Sequence, residues 1–413
     1  MNLIKTSYLS LIATVIKLLS ALVVNKFVAM FIGPSGLALI GQLQSFSQIS
    51  MTCSKGAINN GVTKYIAEYR SEDKRVEEVL GTAFWITVIC SIFVGAVMLM
   101  LSERLSIAIF ESLDKKFVFL LFGCTIIFFS LNQLLLSVIN GYKKVKVFVS
   151  LNIIQSLYSL VFTSILVYMF GLNGALVALV TNQSIVFVIG VYVLRKEIKK
   201  KLSSICFFEV SEARKLFKFS LMAITSSLTV PLSHLFVRNY LGENIGWENA
   251  GYWQAIWYVS TMYLMVITTS LSTYYLPRLS EIRTKVELRK ELLYGYKILL
   301  PIVVALSFSM YLMRDFIILV LFSESFIQMR ELFKWQLVGD VFKISSWLLS
   351  YILLSKVMTK EFIICEIIFA VSFSILTAVY VNSHGLLGVT YAYALNYIIY
   401  LMVMVLLTKK HWY

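Results

Sequence analysis

Charged side chains are scarce in this 413-residue sequence, since Asp, Glu, Lys and Arg together supply only 14% of it. A soluble domain carries roughly a quarter. Hydrophobic residues make up 59%, and the mean hydropathy is +0.81. These values exclude an ordinary soluble domain, and so apolar a chain is not disordered. Because a helix of about 20 apolar residues spans a bilayer, the composition predicts an all-α polytopic membrane protein.

Cysteine and histidine are also rare, which removes several kinds of chemistry. The five cysteines are scattered with no C-x-x-C pair, and the three histidines form no H-E-x-x-H motif. We therefore expect no metal site and no disulfide framework. No G-x-x-x-x-G-K-[ST] motif is present, and no long polar segment could form a soluble catalytic domain. The sequence predicts a protein without a cofactor that is not an enzyme.

Twelve apolar segments of spanning length can be marked between charged or Gly/Asn-containing breaks. They cover residues 8–32, 37–62, 80–101, 117–140, 147–170, 172–194, 216–240, 250–277, 294–313, 332–355, 361–381 and 385–408. An even number places both termini on one side. Trp247, Tyr252 and Trp253 fall near the opposite interface, where an aromatic belt is expected.

The distribution of basic residues indicates on which side of the membrane the termini lie. The net charge is +15, and 26 of the 37 Lys and Arg residues fall in the termini and the loops on their side, against 6 in the opposite loops. By the positive-inside rule both termini are cytoplasmic. The excess of positive charge therefore reflects orientation, and a nucleic acid partner is not expected.

Short residue matches recur at an almost constant separation along the chain. Three pairs of segments correspond at offsets of 212 to 214 residues. They are Gly41-Gln42 with Trp253-Gln254, Asn25-Lys26 with Arg238-Asn239, and Phe170-Gly171-Leu172 with His384-Gly385-Leu386. Two halves of six spans share one orientation, because six is even. We predict two parallel six-helix lobes, residues 1–195 and 216–413, joined by a cytoplasmic linker, 196–215, and enclosing a central cavity.

Cations within apolar spans are costly and therefore candidates for function. Lys17, Lys26, Lys55 and Arg238 are the predicted substrate-binding cations. Such a set suits an anion, and a pyrophosphate would satisfy two or three of them at once. The alternatives are structural cations between helices, or, for Lys26, a side chain that snorkels to the interface.

Other polar residues in the spans have secondary roles. Asp340 and Lys343 are three residues apart on one helix face, which indicates a structural ion pair or an ion-coupling carboxylate. Glu366 is the second carboxylate for coupling. His234 follows Pro231 by one turn and is predicted to form a gate at a kink. The residues predicted to bind sugar hydroxyls are Asn25, Gln42, Gln254 and Thr268.

Several motifs resemble the Wzx-type flippases from the first span to the last. They are Phe31-Ile32-Gly33-Pro34-Ser35-Gly36-Leu37, Asn60-Gly61-Val62-Thr63-Lys64-Tyr65, Tyr275-Leu276-Pro277-Arg278-Leu279-Ser280, Arg314-Asp315-Phe316 and, most clearly, Phe333-Lys334-Trp335-Gln336-Leu337-Val338-Gly339-Asp340-Val341. The resemblance implies the multidrug/oligosaccharidyl-lipid/polysaccharide exporter superfamily, with a MATE-like fold. It also implies matching residues at Lys17, Lys26, Lys64, Asp340, Lys343 and Glu366, whereas Lys55 and His234 depart from the pattern.

The resemblance implies a carrier of undecaprenyl-pyrophosphate-linked oligosaccharide in the bacterial inner membrane, working by alternating access. The glycan is an O-antigen repeat unit or the enterobacterial common antigen lipid III. Richness in Ile, Phe, Lys and Asn favours the former. Expected partners are the lipid-linked oligosaccharide, membrane lipids, and the polymerase and chain-length regulator of the pathway. Rival hypotheses are a small-molecule or multidrug exporter of the same fold and a membrane polymerase or glycosyltransferase of that pathway.

Overall fold

In this computed structural model the described residues, 3–70, 72–201, 207–356 and 358–412, are almost entirely helical. Fourteen α-helices cover this part of the chain: α1 (Leu3–Ser54), α2 (Asn59–Glu68), α3 (Asp73–Met100), α4 (Ser102–Phe110), α5 (Lys116–Gly141), α6 (Val145–Lys201), α7 (Val210–Ile245), α8 (Trp247–Ser270), α9 (Leu276–Glu281), α10 (Lys285–Leu312), α11 (Arg314–Leu321), α12 (Phe333–Ser355), α13 (Thr359–His384) and α14 (Leu387–Trp412). The all-α polytopic fold predicted from composition is confirmed.

Eight of these segments are apolar and long enough to cross a membrane. Two of the eight, Thr14–Ser54 and Val145–Tyr192, have 41 and 48 residues, about twice the length that one span needs. Each is divided by a glycine with non-helical backbone angles, Gly33 and Gly171 respectively. Helices α7 and α8, of 36 and 24 residues, are not among the eight found within the described residues. The total of twelve spans stays a prediction.

The same order of elements recurs at an offset of 213 or 214 residues. The turn at Gly33 has its counterpart at Gly246, and both glycines have positive φ. Gly171 (φ 53°, ψ −129°) and Gly385 (φ 57°, ψ −139°) share one conformation that is open essentially only to glycine. The short helices α4 and α11, each followed by a 3₁₀ turn, also correspond. The recurrence agrees with the residue matches in the sequence.

The chain forms two compact units. The N-terminal unit comprises Met1–Ile32 and Leu39–Leu232, and the C-terminal unit comprises Gly33–Ala38 and Ser233–Tyr413. The last passage of the chain from one unit to the other falls inside α7, between Leu232 and Ser233. Residues 202–206 of the predicted linker lie outside the described residues.

The beginning of α7 packs on the N-terminal unit. Leu216 is fully buried in a core cluster with Ile58 and Val62. One residue earlier, the Lys215 ammonium donates to the buried Glu212 carboxylate at 2.5 Å and to the Tyr69 hydroxyl at 3.2 Å. These hydrogen bonds, the first to Glu212, raise the pKa of Lys215. The domain limits at 195 and 216 stay a prediction.

The second span is interrupted at its polar run. Helix α1 ends at Ser54 and α2 begins at Asn59, so Lys55 lies in a four-residue break with positive φ at Gly56 and Ala57. Backbone hydrogen bonds continue through the break, since the Ala57 N–H donates to the Thr52 carbonyl at 3.2 Å. Non-helical backbone at membrane depth is tolerated where it is buried in protein or lines a water-filled cavity. The helix break is therefore a stronger reason than the sequence context to consider Lys55 a functional residue.

Candidate functional site

The most heavily hydrogen-bonded charge in the described part of the C-terminal unit is Asp340, on α12. Its side chain is fully buried. One carboxylate oxygen accepts hydrogen bonds from the Ser260 hydroxyl at 2.7 Å and the Tyr263 hydroxyl at 2.8 Å, and the other accepts from the Tyr393 hydroxyl at 2.8 Å. Helices α8, α12 and α14 thus converge on one carboxylate. Three hydroxyl donors hold the carboxylate in a fixed orientation.

A glycine next to Asp340 makes this approach possible. A Cβ on Gly339 would lie 2.3 Å from the ring of Tyr393 and 3.3 Å from the backbone of Ala394. The ring of Tyr393 therefore lies directly against the backbone of α12. The pair Gly339-Asp340 belongs to the clearest of the motifs that resemble the flippases.

Lys343 is one turn further along α12 and points into an aromatic cage. Its ammonium lies 4.8 Å from the ring centre of Trp257, 5.3 Å from that of Trp347 and 5.7 Å from that of Tyr397. Such contacts stabilise a cation, more so away from water. Within the described part of the chain, Asp340 and Lys343 form no direct ion pair. The hydroxyls occupy the carboxylate and the rings surround the ammonium.

Three tyrosines on one face of α14 connect the two carboxylates. Tyr393 donates to Asp340, the ring of Tyr397 lies against Lys343, and Tyr400 donates to Glu366 at 3.3 Å. The i, i+4, i+7 spacing places them on one helix face. We call Tyr393, Tyr397 and Tyr400 the tyrosine ribbon. It joins the predicted coupling residues into one continuous polar and aromatic arrangement.

His234 and Arg238 lie in the same unit, against tryptophans of α8. The His234 ring centre is 4.2 Å from that of Trp257, and the Arg238 guanidinium is 5.7 Å from that of Trp253. Both side chains are buried. Because the indole of Trp257 also contacts Lys343, this cluster is continuous with the aromatic cage. Pro231, one turn before His234, is buried inside helix α7.

The expectation of an aromatic belt at Trp253 and Tyr252 is wrong, since both side chains are buried, at 0% and 2% exposure. Tyr252 donates to the Glu248 carboxylate at 2.7 Å, and Trp253 packs against His234. Gln254, beside them, is buried as well, and its side-chain oxygen has no hydrogen-bond partner in the described part of the chain.

The other predicted site residues are distributed over both units. In the N-terminal unit, Lys17 is exposed, whereas Lys26, Asn25 and Lys55 are half-buried. Gln42 is buried there, as its counterpart Gln254 is in the C-terminal unit. Thr268, on α8 of the C-terminal unit, is half-buried, and its hydroxyl donates to the carbonyl of Met265 at 3.2 Å.

The sequence did not identify the residues that surround the charges. Ser260, Tyr263, Trp257 and the tyrosine ribbon were absent from the predicted site. Tyrosines at 393, 397 and 400 on one face of an apolar span were a usable signal, because a buried tyrosine hydroxyl usually needs a partner. Within the described ranges, no group of three or more His, Cys, Asp or Glu residues could hold a metal ion.

Comparison with known proteins identifies the family. Residues 3–283 match the family described as polysaccharide biosynthesis protein. The chain belongs to this family. A lipid III flippase of Escherichia coli (strain K12) is 30% identical over 404 residues, which are 97% of this chain and 96% of that protein. A putative O-antigen transporter of Shigella flexneri is 26% identical over 323 residues, 74% of each chain.

Solved structures place this member of the polysaccharide biosynthesis family in the MATE fold. An inward-facing multidrug resistance transporter of the MATE family matches with a TM-score of 0.79 at 16% identity, over 95% of this chain and 94% of that one. An outward-facing MATE transporter matches with a TM-score of 0.72 at 15% identity, over 98% and 94%. Such low identities establish the fold alone.

The named relatives are flippases and transporters, not enzymes. They confirm the prediction of a multi-pass membrane transport protein without catalytic chemistry. None of the relatives named here is a polymerase or a glycosyltransferase.

Proposed function

We propose that the chain carries a polyprenyl-pyrophosphate-linked oligosaccharide from the cytoplasmic to the periplasmic leaflet of the bacterial inner membrane by alternating access. The observation that carries this proposal is the 30% identity, over nearly the whole of both chains, to proteins named lipid III flippases. The glycan is an O-antigen repeat unit or lipid III, and both termini are cytoplasmic. The polymerase and the chain-length regulator of the same pathway act on the delivered product.

The pyrophosphate is bound by Lys17, Lys26, Lys55 and Arg238. Two negative phosphates require several cations, and lysine and arginine are the side chains that bind them. The helix break at Lys55 supports this role, because interrupted helices surround ligand sites in many transporters. Arg238 supports it in a different way, since its buried guanidinium is already desolvated against Trp253.

Sugar hydroxyls hydrogen-bond with Asn25, Gln42, Gln254 and Thr268. The unpartnered side-chain oxygen of Gln254 supports this assignment, because a buried acceptor without a partner costs free energy until a ligand donates to it. His234, beyond Pro231, is the gate, and its contacts with two tryptophan rings would be broken and remade as the gate moves.

Transport is driven by an ion gradient that acts through Asp340 or Glu366. A proton or sodium ion that loads Asp340 would compete with the three hydroxyl donors and weaken the attraction between the carboxylate and Lys343. The tyrosine ribbon would then move α14 relative to α12. This coupling role is favoured over a purely structural one because Asp340 and Lys343 do not neutralise each other by direct contact.

Gene deletion followed by complementation tests the proposal. Removal of the gene should abolish one surface polysaccharide, and the polysaccharide that disappears identifies the glycan. Lys17→Ala should fail to restore it at normal protein level in the membrane. The matched control is Lys285→Ala, an exposed lysine in the first turn of α10, outside the predicted spans. Full complementation by Lys17→Ala would contradict the assignment of this lysine.

A small-molecule exporter of the same fold would give a different result. Deletion would then raise sensitivity to toxic compounds and leave every surface glycan intact. The predominance of cations among the residues within the spans argues against cationic drugs as substrates.

A further inference from the structure

A groove with a cavity volume of about 450 Å³ lies on the C-terminal unit between α10, α12 and α14. Apolar residues from all three helices form its walls, among them Leu300, Val304, Val341, Leu349, Leu401 and Val405. Tyr296, Phe342, Ser345 and Trp412 complete the lining. We call this the apolar groove. Its volume falls within the range of about 300–1,000 Å³ that is usual for small-molecule sites.

The polar atoms of the lining residues are bonded within the protein. The Tyr296 hydroxyl donates to the Ser345 carbonyl at 2.7 Å, and the Ser345 hydroxyl donates to the Val341 carbonyl at 2.8 Å. The Trp412 indole N–H donates to the Thr408 hydroxyl at 3.1 Å. Each of these groups is already satisfied, so the groove presents hydrocarbon to whatever enters it. A ligand that needs hydrogen bonds gains nothing there, whereas an aliphatic chain does.

Three lysines are near neighbours in sequence of residues that line the groove. Lys297 directly follows Tyr296 on α10, and Lys409 and Lys410 precede Trp412 in the last turns of α14. All three lysines are exposed. An apolar groove with lysines close in sequence to its lining residues complements an amphiphile with a long hydrocarbon tail and an anionic head.

We propose that the apolar groove holds the polyprenyl chain of the lipid-linked substrate, with the phosphate end directed toward Lys297, Lys409 and Lys410. This inference rests on the proposed function and adds to it a site for the tail. The head group must cross the membrane while the tail stays in the bilayer. A groove that holds the chain during loading limits where the pyrophosphate can lie. A methyl-branched chain is broader than a straight acyl chain and suits a groove walled by branched and aromatic side chains.

Photo-crosslinking of the full-length protein tests the proposal. The protein is placed in phosphatidylcholine nanodiscs with undecaprenyl phosphate that carries a diazirine on its isoprenoid chain, and the labelled peptides are mapped. We expect labels on α10, α12 and α14 at the groove. Unlabelled undecaprenyl phosphate should compete for them, and phosphatidylglycerol should not.

Neighbouring residues on α14 provide a matched pair of variants. Val405 lines the groove, whereas Leu406 is 73% exposed and is absent from the lining. Val405→Trp should reduce groove labelling about tenfold, as a misfit in an apolar pocket does, and Leu406→Trp should leave it unchanged. If Val405→Trp fails to elute as a folded protein, Val304→Phe replaces it, with exposed Ile302→Phe as its control.

Three results would overturn the proposal: no label at the groove of the wild-type protein, equal competition by phosphatidylglycerol, or equal loss of label in Val405→Trp and Leu406→Trp. The second would identify a groove for ordinary membrane phospholipid. Failure of the proposed function is a separate result, because the wild-type gene would then not restore a surface polysaccharide. Restoration without groove labelling contradicts only the site for the tail.

Discussion

At the scale of single residues, the C-terminal unit separates two opposite charges that the sequence places one turn apart. Asp340 is held by three hydroxyls, and Lys343 lies among aromatic rings. Contact with tryptophan faces stabilises an ammonium without a direct carboxylate partner. The two charges can therefore respond separately to a ligand or an ion.

The hydrogen bond from Tyr393 to Asp340 should contribute measurably to stability. Tyr393→Phe removes one donor to a buried carboxylate, and we expect it to cost about 1–2 kcal/mol, lowering the melting temperature in detergent. Tyr397→Phe is the matched control, since within the described residues its hydroxyl has no hydrogen bond and its ring remains beside Lys343. Equal melting temperatures for the two variants would contradict the assigned role of the Tyr393 hydroxyl.

Neutralising Asp340 tests ion coupling. Asp340→Asn keeps the size of the side chain but removes the charge that Ser260, Tyr263 and Tyr393 stabilise. We expect a loss of surface polysaccharide at normal protein level. Glu243→Gln changes an exposed carboxylate on α7 and should complement fully. Wild-type glycan in the Asp340→Asn strain would leave Asp340 with a structural role at most.

The charged members of this cluster were predictable from the sequence, and their surroundings were not. Asp340, Lys343 and Glu366 stand out because ionisable groups are rare in apolar spans. Tyr263 and Trp257 do not stand out, since aromatic residues are common in any membrane helix. Only the tertiary packing decides which tyrosine hydroxyl reaches a carboxylate.

At the scale of elements, glycine turns define the two halves. Gly171 and Gly385 reverse the chain in the same conformation, and three residues later Gly174 and Gly388 bring the returning helix against the preceding one. A Cβ on Gly174 would lie 1.9 Å from the Leu166 carbonyl oxygen, and a Cβ on Gly388 would lie 2.2 Å from that of Tyr380. The sequence matches at an offset of 214 therefore reflect a shared close contact between backbones.

Gly388→Ala should disrupt this contact. The new methyl group would meet backbone atoms that cannot move without separating α13 from α14, so we expect a loss of monodisperse protein on size-exclusion chromatography. Gly295→Ala is the control, since its methyl group would meet chiefly the ring edge of Tyr275 at 3.2 Å, a side chain with some freedom to shift. An unchanged Gly388→Ala profile would refute the close contact.

The helix break at Lys55 was not predicted from the sequence. Apolar and polar residues continue through residues 37–62 without proline, and we predicted a single continuous span. The structure ends one helix at Ser54 and starts the next at Asn59. Gly56 was the only local signal, and a lone glycine in a membrane helix is too common to indicate a break.

At the scale of the whole molecule, the distribution of basic residues predicts orientation. In a variant without native cysteines, Glu287→Cys on α10 should react with a membrane-impermeant maleimide only in inverted vesicles. Ser323→Cys, beyond α11, should react in intact spheroplasts. Reversed labelling would overturn the cytoplasmic placement of the termini. Labelling of both sites from one side would contradict the predicted span between them.

Transport of the lipid-linked oligosaccharide is the central claim, and reconstitution tests it most directly. Proteoliposomes containing the purified chain and a labelled undecaprenyl-pyrophosphate-linked oligosaccharide are challenged with a glycan-modifying reagent added outside. With an ion gradient imposed, we predict that wild-type protein exposes lipid initially confined to the inner leaflet. Asp340→Asn and Lys55→Ala should expose much less. Exposure by the wild-type protein no greater than in protein-free liposomes would contradict the proposed function.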